Sequence, residues 1–278
     1  QHDVPGTRYR RFLNIAWEID GLLHQMVADR REGAEDASDV LSLLLTARDD
    51  EGDLLPEDEV VGHIFLIYAG AHETISSMLS WALLLLSQYP KVMAALYDEL
   101  DSVLKGDAPG VDQLAQLPLL GRVVKETLRI FPPGPLRPRI ALHDTMLDDY
   151  FIPAGAEVVS SIYAVHHDPD LYPDPERFDP DRWLTINPSP YEYHPFGTGV
   201  RTCLGQPFAM MCIPIVLAIL LQKFRFESVP GAKVNRHWGV TMSPGMGFTM
   251  NVHRQDKNFN QGVGGVRGNI REMVDLPA

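Results

Sequence analysis

Apolar residues recur at helical spacing from Tyr9 to Asp29, at Phe12, Ile15, Ile19, Leu22, Leu23 and Met26, with charges filling the gaps. This predicts one amphipathic helix, a polar break over Arg30 to Ala37, and a second short helix over Asp39 to Ala47 that ends in an acidic turn at Asp49 to Asp53. Pro56-Glu57-Asp58-Glu59 then reads as a helix start, with proline in the first turn and carboxylates at the positive end of the helix dipole. The helix it opens runs to about Gln88. A further helix follows from Pro90 to about Leu104 and is closed by the Gly/Pro cluster at Gly106 to Gly110. Leu119 to Ile130 forms another, stopped by Pro132-Pro133.

From there to Pro195 the texture changes to frequent Pro, Gly and Asp with short β-prone pieces such as Glu157-Val-Val-Ser-Ser-Ile. A Gly-rich loop, a buried helix and short strands near Phe224 to Glu227, Gly239 to Met242 and Phe248 to Val252 complete the pattern. The fold class is mainly α with small β-sheets. Residues 1–255 form the ordered portion, and residues 256–278, rich in Asn, Gln and Gly, are expected to be a weakly ordered tail.

Length and composition add bounds. With 278 residues and 45% hydrophobic content, the chain can bury a sizeable core. A formal net charge of −13 and the lack of a basic block argue against nucleic acid as a partner. Two cysteines, Cys203 and Cys212, are too few for a disulfide framework and fit a reducing, cytoplasmic compartment. The N-terminus lacks the features of a signal peptide. The stretch from His63 to Pro90 is long enough to cross a bilayer, but His72, Glu73 and two serines lie in its middle; Met210 to Leu221 is too short and contains Pro214. Both are expected to be core helices, leaving no membrane span in this chain.

The chemistry concentrates at Phe196-Gly-Thr-Gly-Val-Arg-Thr-Cys203-Leu-Gly205. A lone Cys is more often an inert small hydrophobe than a ligand. Here glycines let the backbone approach a flat ligand and turn N–H groups toward sulfur, and the helix that follows adds its positive end, which together favour a thiolate. Cys212, inside an apolar helix, keeps the structural reading. Two further patterns are bland by themselves. Glu126-Thr-Leu-Arg129 places an acid and a guanidinium on one helix face, and Glu73-Thr74 sits in mid-helix where a Thr hydroxyl ordinarily bonds back to a carbonyl.

Together these motifs resemble the cytochrome P-450 family in its C-terminal portion, and the opening segment Pro5-Gly-Thr-Arg-Tyr-Arg-Arg resembles bacterial members more than membrane-anchored ones. Phe196-Gly-x-Gly-x-Arg-x-Cys203-x-Gly205 is similar to the family's haem-binding signature, which implies haem b with Cys203 as thiolate ligand to iron and with Phe196, Gly197 and Gly205 framing it. Glu126-x-x-Arg129, joined by Arg177 of Pro175-Glu-Arg177-Phe178, is similar to the family's buried supporting network. Gly70-Ala71-His72-Glu73-Thr74 is similar to the oxygen-binding motif, with Ala71 where the family usually has Gly, and implies Glu73 and Thr74 as the proton-handling pair. Arg201 and Arg139 are the implied propionate partners. His166, His167 and His194 show no paired spacing for zinc.

The resemblance implies a monooxygenase that inserts one oxygen atom from O2 into an apolar substrate, with electrons from a ferredoxin or flavoprotein. Substrate contacts are expected at Ala69, Gly70, Gly134, Pro135, Leu136 and Trp238. The family's first helices precede the matched portion, so a truncated or split enzyme, including a non-catalytic haem-binding fragment, is an alternative. So is a peroxide-using or rearranging member.

Overall fold

The computed structural model describes residues 3–33, 39–239, 241–245 and 248–278. Residues 34–37 of the predicted polar break at Arg30 to Ala37, and Val240 of the predicted strand Gly239 to Met242, lie outside the described residues. The chain divides into two compact units, residues 1–72 and 73–278, and the long third helix belongs to both.

In the first unit, helix α1 (Arg8–Glu32) is capped by the Thr7 side chain, and the short α2 (Val40–Thr46) by Asp39. Helix α3 (Glu57–Gln88) begins with three carboxylates in its first turn. The small core of this unit is Val27, Val60 and Val61 with Leu23, Leu41, Leu44, Leu45, Leu55 and Ile64 packed around them. Midway along α3 the consecutive side chains Phe65, Leu66, Ile67 and Tyr68 are all exposed.

In the second unit, α3 contributes the buried residues Met78, Trp81, Ala82, Leu84, Leu85 and Leu86. Against them pack α4 (Pro90–Leu104) and α5 (Pro118–Ile130), each opened by a proline at its first turn. Two antiparallel pairs follow: β1 (Leu136–Ile140) with β4 (Glu157–Ser161), and between them β2 (Thr145–Leu147) with β3 (Tyr150–Ile152). The one-turn α6 (Ile162–His166) leads into an irregular segment, and α7 (Gln206–Lys223) into β5 (Phe224–Ser228), β6 (Arg236–Trp238), β7 (Met242–Pro244) and β8 (Met250–Arg254). β5 pairs with β8 and β6 with β7, both antiparallel.

Helix α7 is longer than its apolar run. Its 18 residues make it long and apolar enough to cross a membrane by length and composition, so length does not exclude a span as the sequence led us to expect. Ile213, Leu217, Ala218 and Leu221 are nonetheless buried in the same core as α4 and α5.

The tail corrects another expectation. Residues 256–278 are seated on the second unit, where Val266, Ile270, Met273 and Val274 are buried. The buried Gln88 at the end of α3 receives Gly264 N–H on its side-chain oxygen (2.8 Å) and donates to Gly262 O (3.1 Å). Gly268, at φ 107°, lies so close to Val234 O that a side chain there would collide with it. Its glycines therefore serve close packing, where composition suggested looseness.

Candidate functional site

The loop that carries Cys203 is built by its own backbone. Gly197 N–H bonds to His194 O (2.8 Å), Thr202 N–H to Gly199 O (3.0 Å) and Cys203 N–H to Phe196 O (2.9 Å). Gly197 and Gly199 take φ values of 74° and 75°, the left-handed region that a side chain resists. Cys203 is exposed, and helix α7 begins three residues later at Gln206. Its neighbours Val200 and Leu204 also point outward and are almost wholly exposed. Burying such a side chain is worth about 1.5–3 kcal/mol, so an ordered loop that leaves two of them beside an exposed thiol is shaped for an apolar ligand.

The cationic partners differ from expectation in one respect. Arg139 is exposed and its guanidinium bonds to the adjacent Pro138 O (2.8 Å), while Arg201 is exposed within the loop. The cation pressed against the loop is Arg137, which the sequence reading passed over. A Cβ built on Gly197 would stand 2.5 Å from the Arg137 guanidinium carbon, so a side chain there would push that guanidinium aside. Arg137 Nε is buried and has no hydrogen-bond partner among the described residues. Residues 137 and 139 fall on the same face of β1, an arrangement suited to a ligand bearing two carboxylates. The Leu-Arg-Pro-Arg alternation was the available signal.

The supporting network is present with one member exchanged. Glu126 and Arg129 are wholly buried and joined twice, Arg129 Nε to Oε2 (3.0 Å) and Nη2 to Oε1 (2.9 Å). The second guanidinium is that of Arg182, whose Nε reaches Oε1 at 2.9 Å; this corrects the expectation of Arg177. Arg177 contributes only its carbonyl, which accepts from Arg129 and Arg182. Trp183 Nε1–H (3.0 Å) and Asp179 N–H (3.1 Å) complete five donors on one carboxylate. Pro180-Asp-Arg182-Trp183 repeats the Pro-x-Arg-aromatic pattern five residues on, and its indole N–H is the partner that Phe178 lacks.

A continuous path leads from this network to the Cys loop. Arg129 Nη1 donates to His166 O (2.8 Å), His166 Nδ1 pairs with Arg129 O (3.3 Å), and His166 Nε2 accepts from His194 N–H (3.1 Å). That last bond requires a neutral ring with the proton on Nδ1. Burial first, then the neighbouring His194 and Arg129, pushes the His166 pKa down to about 3 and keeps the ring neutral. His194 O in turn holds Gly197 N–H. The histidines are thus structural links.

The remaining expected residues are distributed. Ala69 and Gly70 are exposed on the part of α3 in the first unit. Glu73 and Thr74 open the second unit, Glu73 exposed and Thr74 half-buried. Gly134 is half-buried, Pro135 is buried with its carbonyl bonded to Ile162 N–H (2.9 Å), and Leu136 is exposed at the start of β1. Trp238 is half-exposed at the end of β6.

Residues 3–246 match the family model described as Cytochrome P450. Cyclooctatin synthase of Streptomyces melanosporofaciens is 34% identical over 87% of this chain and 54% of its own length. Pentalenene oxygenase of Streptomyces avermitilis is 34% identical over 83% of this chain and 52% of its own. The chain therefore spans about half the length of these relatives. Among solved structures, a retinoic acid bound cyanobacterial relative superposes with a TM-score of 0.83 at 30% identity, covering 91% of this chain and 60% of that one. The haem domain of another relative gives 0.81 at 29%, covering 92% and 58%.

Proposed function

The chain belongs to the cytochrome P450 family, and from that premise we propose that Cys203 ligates the iron of a haem b and that the protein is a monooxygenase acting on an apolar substrate. The observation that carries this is the exposed Cys203 between the outward Val200 and Leu204, on a loop fixed by the Phe196 carbonyl and tied through His194 and His166 to the buried Glu126 network. When bound, a haem with a thiolate ligand supplies O–O bond cleavage.

The chain's own residues have separable tasks. Cys203 offers sulfur, and the bond from its N–H to Phe196 O fixes where that sulfur stands. Arg137 and Arg139, with Arg201, neutralise carboxylates; for Arg137 this would satisfy the unpaired Nε. Glu73 holds and releases a proton, and the Thr74 hydroxyl relays it, in the roles their motif implies. Leu136 and Trp238 offer apolar surface to a substrate. The relatives named for pentalenene and cyclooctat-9-en-7-ol support a hydrocarbon-rich molecule of that kind. Electrons would come from a ferredoxin or flavoprotein, in the cytoplasm.

The test is the absorption spectrum of the haem-reconstituted chain, reduced and under CO. A Soret band shifted far to the red, lost in Cys203→Ser, is the expected result. A band that Cys203→Ser leaves unchanged would overturn the assignment.

A further inference from the structure

Glu73 has a partner that no motif predicts. Its Oε1 accepts a hydrogen bond of 2.5 Å from the hydroxyl of Thr241, 168 residues away. The acid lies at the surface of α3, whereas Thr241 is buried.

What gives this contact weight is the fixed position of the hydroxyl. Thr241 immediately precedes Met242, which is fully buried and whose N–H bonds to Pro133 O (2.8 Å). Met242 O accepts from the Trp81 indole N–H (3.4 Å), two turns further along the same helix as Glu73. Gly239 N–H bonds to Thr241 O (3.1 Å) and closes the turn. The β6–β7 hairpin is therefore stitched to α3 at Trp81 by backbone and at Glu73 by side chains. A Glu side chain held in one rotamer loses conformational freedom. A short hydroxyl-to-carboxylate bond belongs to the strong, charge-assisted class and offsets that loss.

We propose that Thr241 is a positioning residue for Glu73: its hydroxyl fixes Oε1, leaves Oε2 to take up and release the proton, and ties the acid to the turn that bears Trp238. The proposal rests on the reading of Glu73 as the proton-handling group.

The experiment uses the full chain reconstituted with haem, as wild type, Thr241→Val, Thr241→Ser, Glu73→Gln and the Thr241→Val/Glu73→Gln double variant. Val keeps the shape of Thr and removes the hydroxyl; Ser keeps the hydroxyl. The first readout is amide hydrogen exchange over residues 236–245, which needs no turnover. Thr241→Val is expected to speed exchange there, Glu73→Gln, whose amide oxygen still accepts from the hydroxyl, to do so less, the double variant no more than Thr241→Val alone, and Thr241→Ser to match wild type. The second is the fraction of NADH electrons that a surrogate ferredoxin system diverts to hydrogen peroxide. It is expected to rise several-fold in Thr241→Val and return in Thr241→Ser. Additive exchange effects, or a Thr241→Val variant that behaves as wild type in exchange, would overturn the proposal. The reduced, CO-bound spectrum separates the two levels. Its failure in wild type counts against the Cys203 assignment, and a normal spectrum with an inert Thr241→Val counts against Thr241 alone.

Discussion

Glu126 takes five donors while wholly out of contact with water. A buried carboxylate in that position is compensated only while its partners stay, and breaking such a pair on one side costs about 3–5 kcal/mol. Glu126→Ala and Arg182→Ala are therefore expected to lower the unfolding free energy measured in urea by amounts in that range. Arg177→Ala, which removes a side chain and leaves the carbonyl that the network uses, is expected to stay within about 0.5–1 kcal/mol of wild type. The motif Glu126-x-x-Arg129 was legible because helix geometry alone brings its members together. The third member was not, since two Pro-x-Arg-aromatic copies stand five residues apart and only the carboxylate's remaining acceptor capacity selects Arg182 with Trp183. Gly197 offers a second residue-level test. Gly197→Ala demands a left-handed backbone and displaces Arg137 at once. Replacement is expected to destabilise the fold by at least about 1–2 kcal/mol and to weaken haem uptake, measured by titrating hemin into the chain.

At the scale of elements, the first five helices were legible within three residues because apolar periodicity and prolines mark them, as at Pro90 and Pro118. The strands were less so. β2 is exposed throughout and β1 nearly so, hence neither shows the alternation that a half-buried strand imprints. The predicted strand Gly239 to Met242 is instead divided, with β6 ending at Trp238 and β7 starting at Met242. The tail was misread for a related reason, since Asn, Gln and Gly register as loose until close approach requires them. Residues 256–278 lie beyond the matched family region, which ends at residue 246. They are fastened by Arg225 to Asp256 (2.6 Å), by Gln88, and by a hydrogen bond from the Tyr89 hydroxyl to Asp275 O. Removing them uncovers the contacts of four fully buried apolar side chains, each worth about 1.5–3 kcal/mol on burial. A chain ended after Gln255 is expected to lose several kcal/mol of stability in urea unfolding, and Gly268→Ala a substantial part of that.

For the molecule as a whole, pH acts through the histidine links. Burial holds the pKa of His166 at about 3 and that of His167 at about 4, while the unfolded chain protonates both near 6.5. Above pH 6.5 neither state carries the extra protons and stability is at its full value. As pH falls below 6.5 the unfolded chain binds protons that the folded one refuses. Stability then declines by up to about 1.4 kcal/mol per pH unit for each histidine, until the folded values are reached. Urea unfolding between pH 7 and pH 4.5 is expected to show this slope. His166→Asn, whose side chain does not titrate, is expected to reduce it and leave the part due to His167.

The same links bear on time as well as on free energy. Arg129 bonds to carbonyls 37, 46 and 48 residues away, and Glu126 to donors as far as 57 residues on. Closing loops of that length is slow relative to forming α5 itself. The network is expected to form late in folding, which mutational folding and unfolding rates test. Arg182→Ala should leave the refolding rate nearly untouched and accelerate unfolding. The residues that frame Cys203 would then act as a lock on the folded state, setting how long a finished molecule lasts.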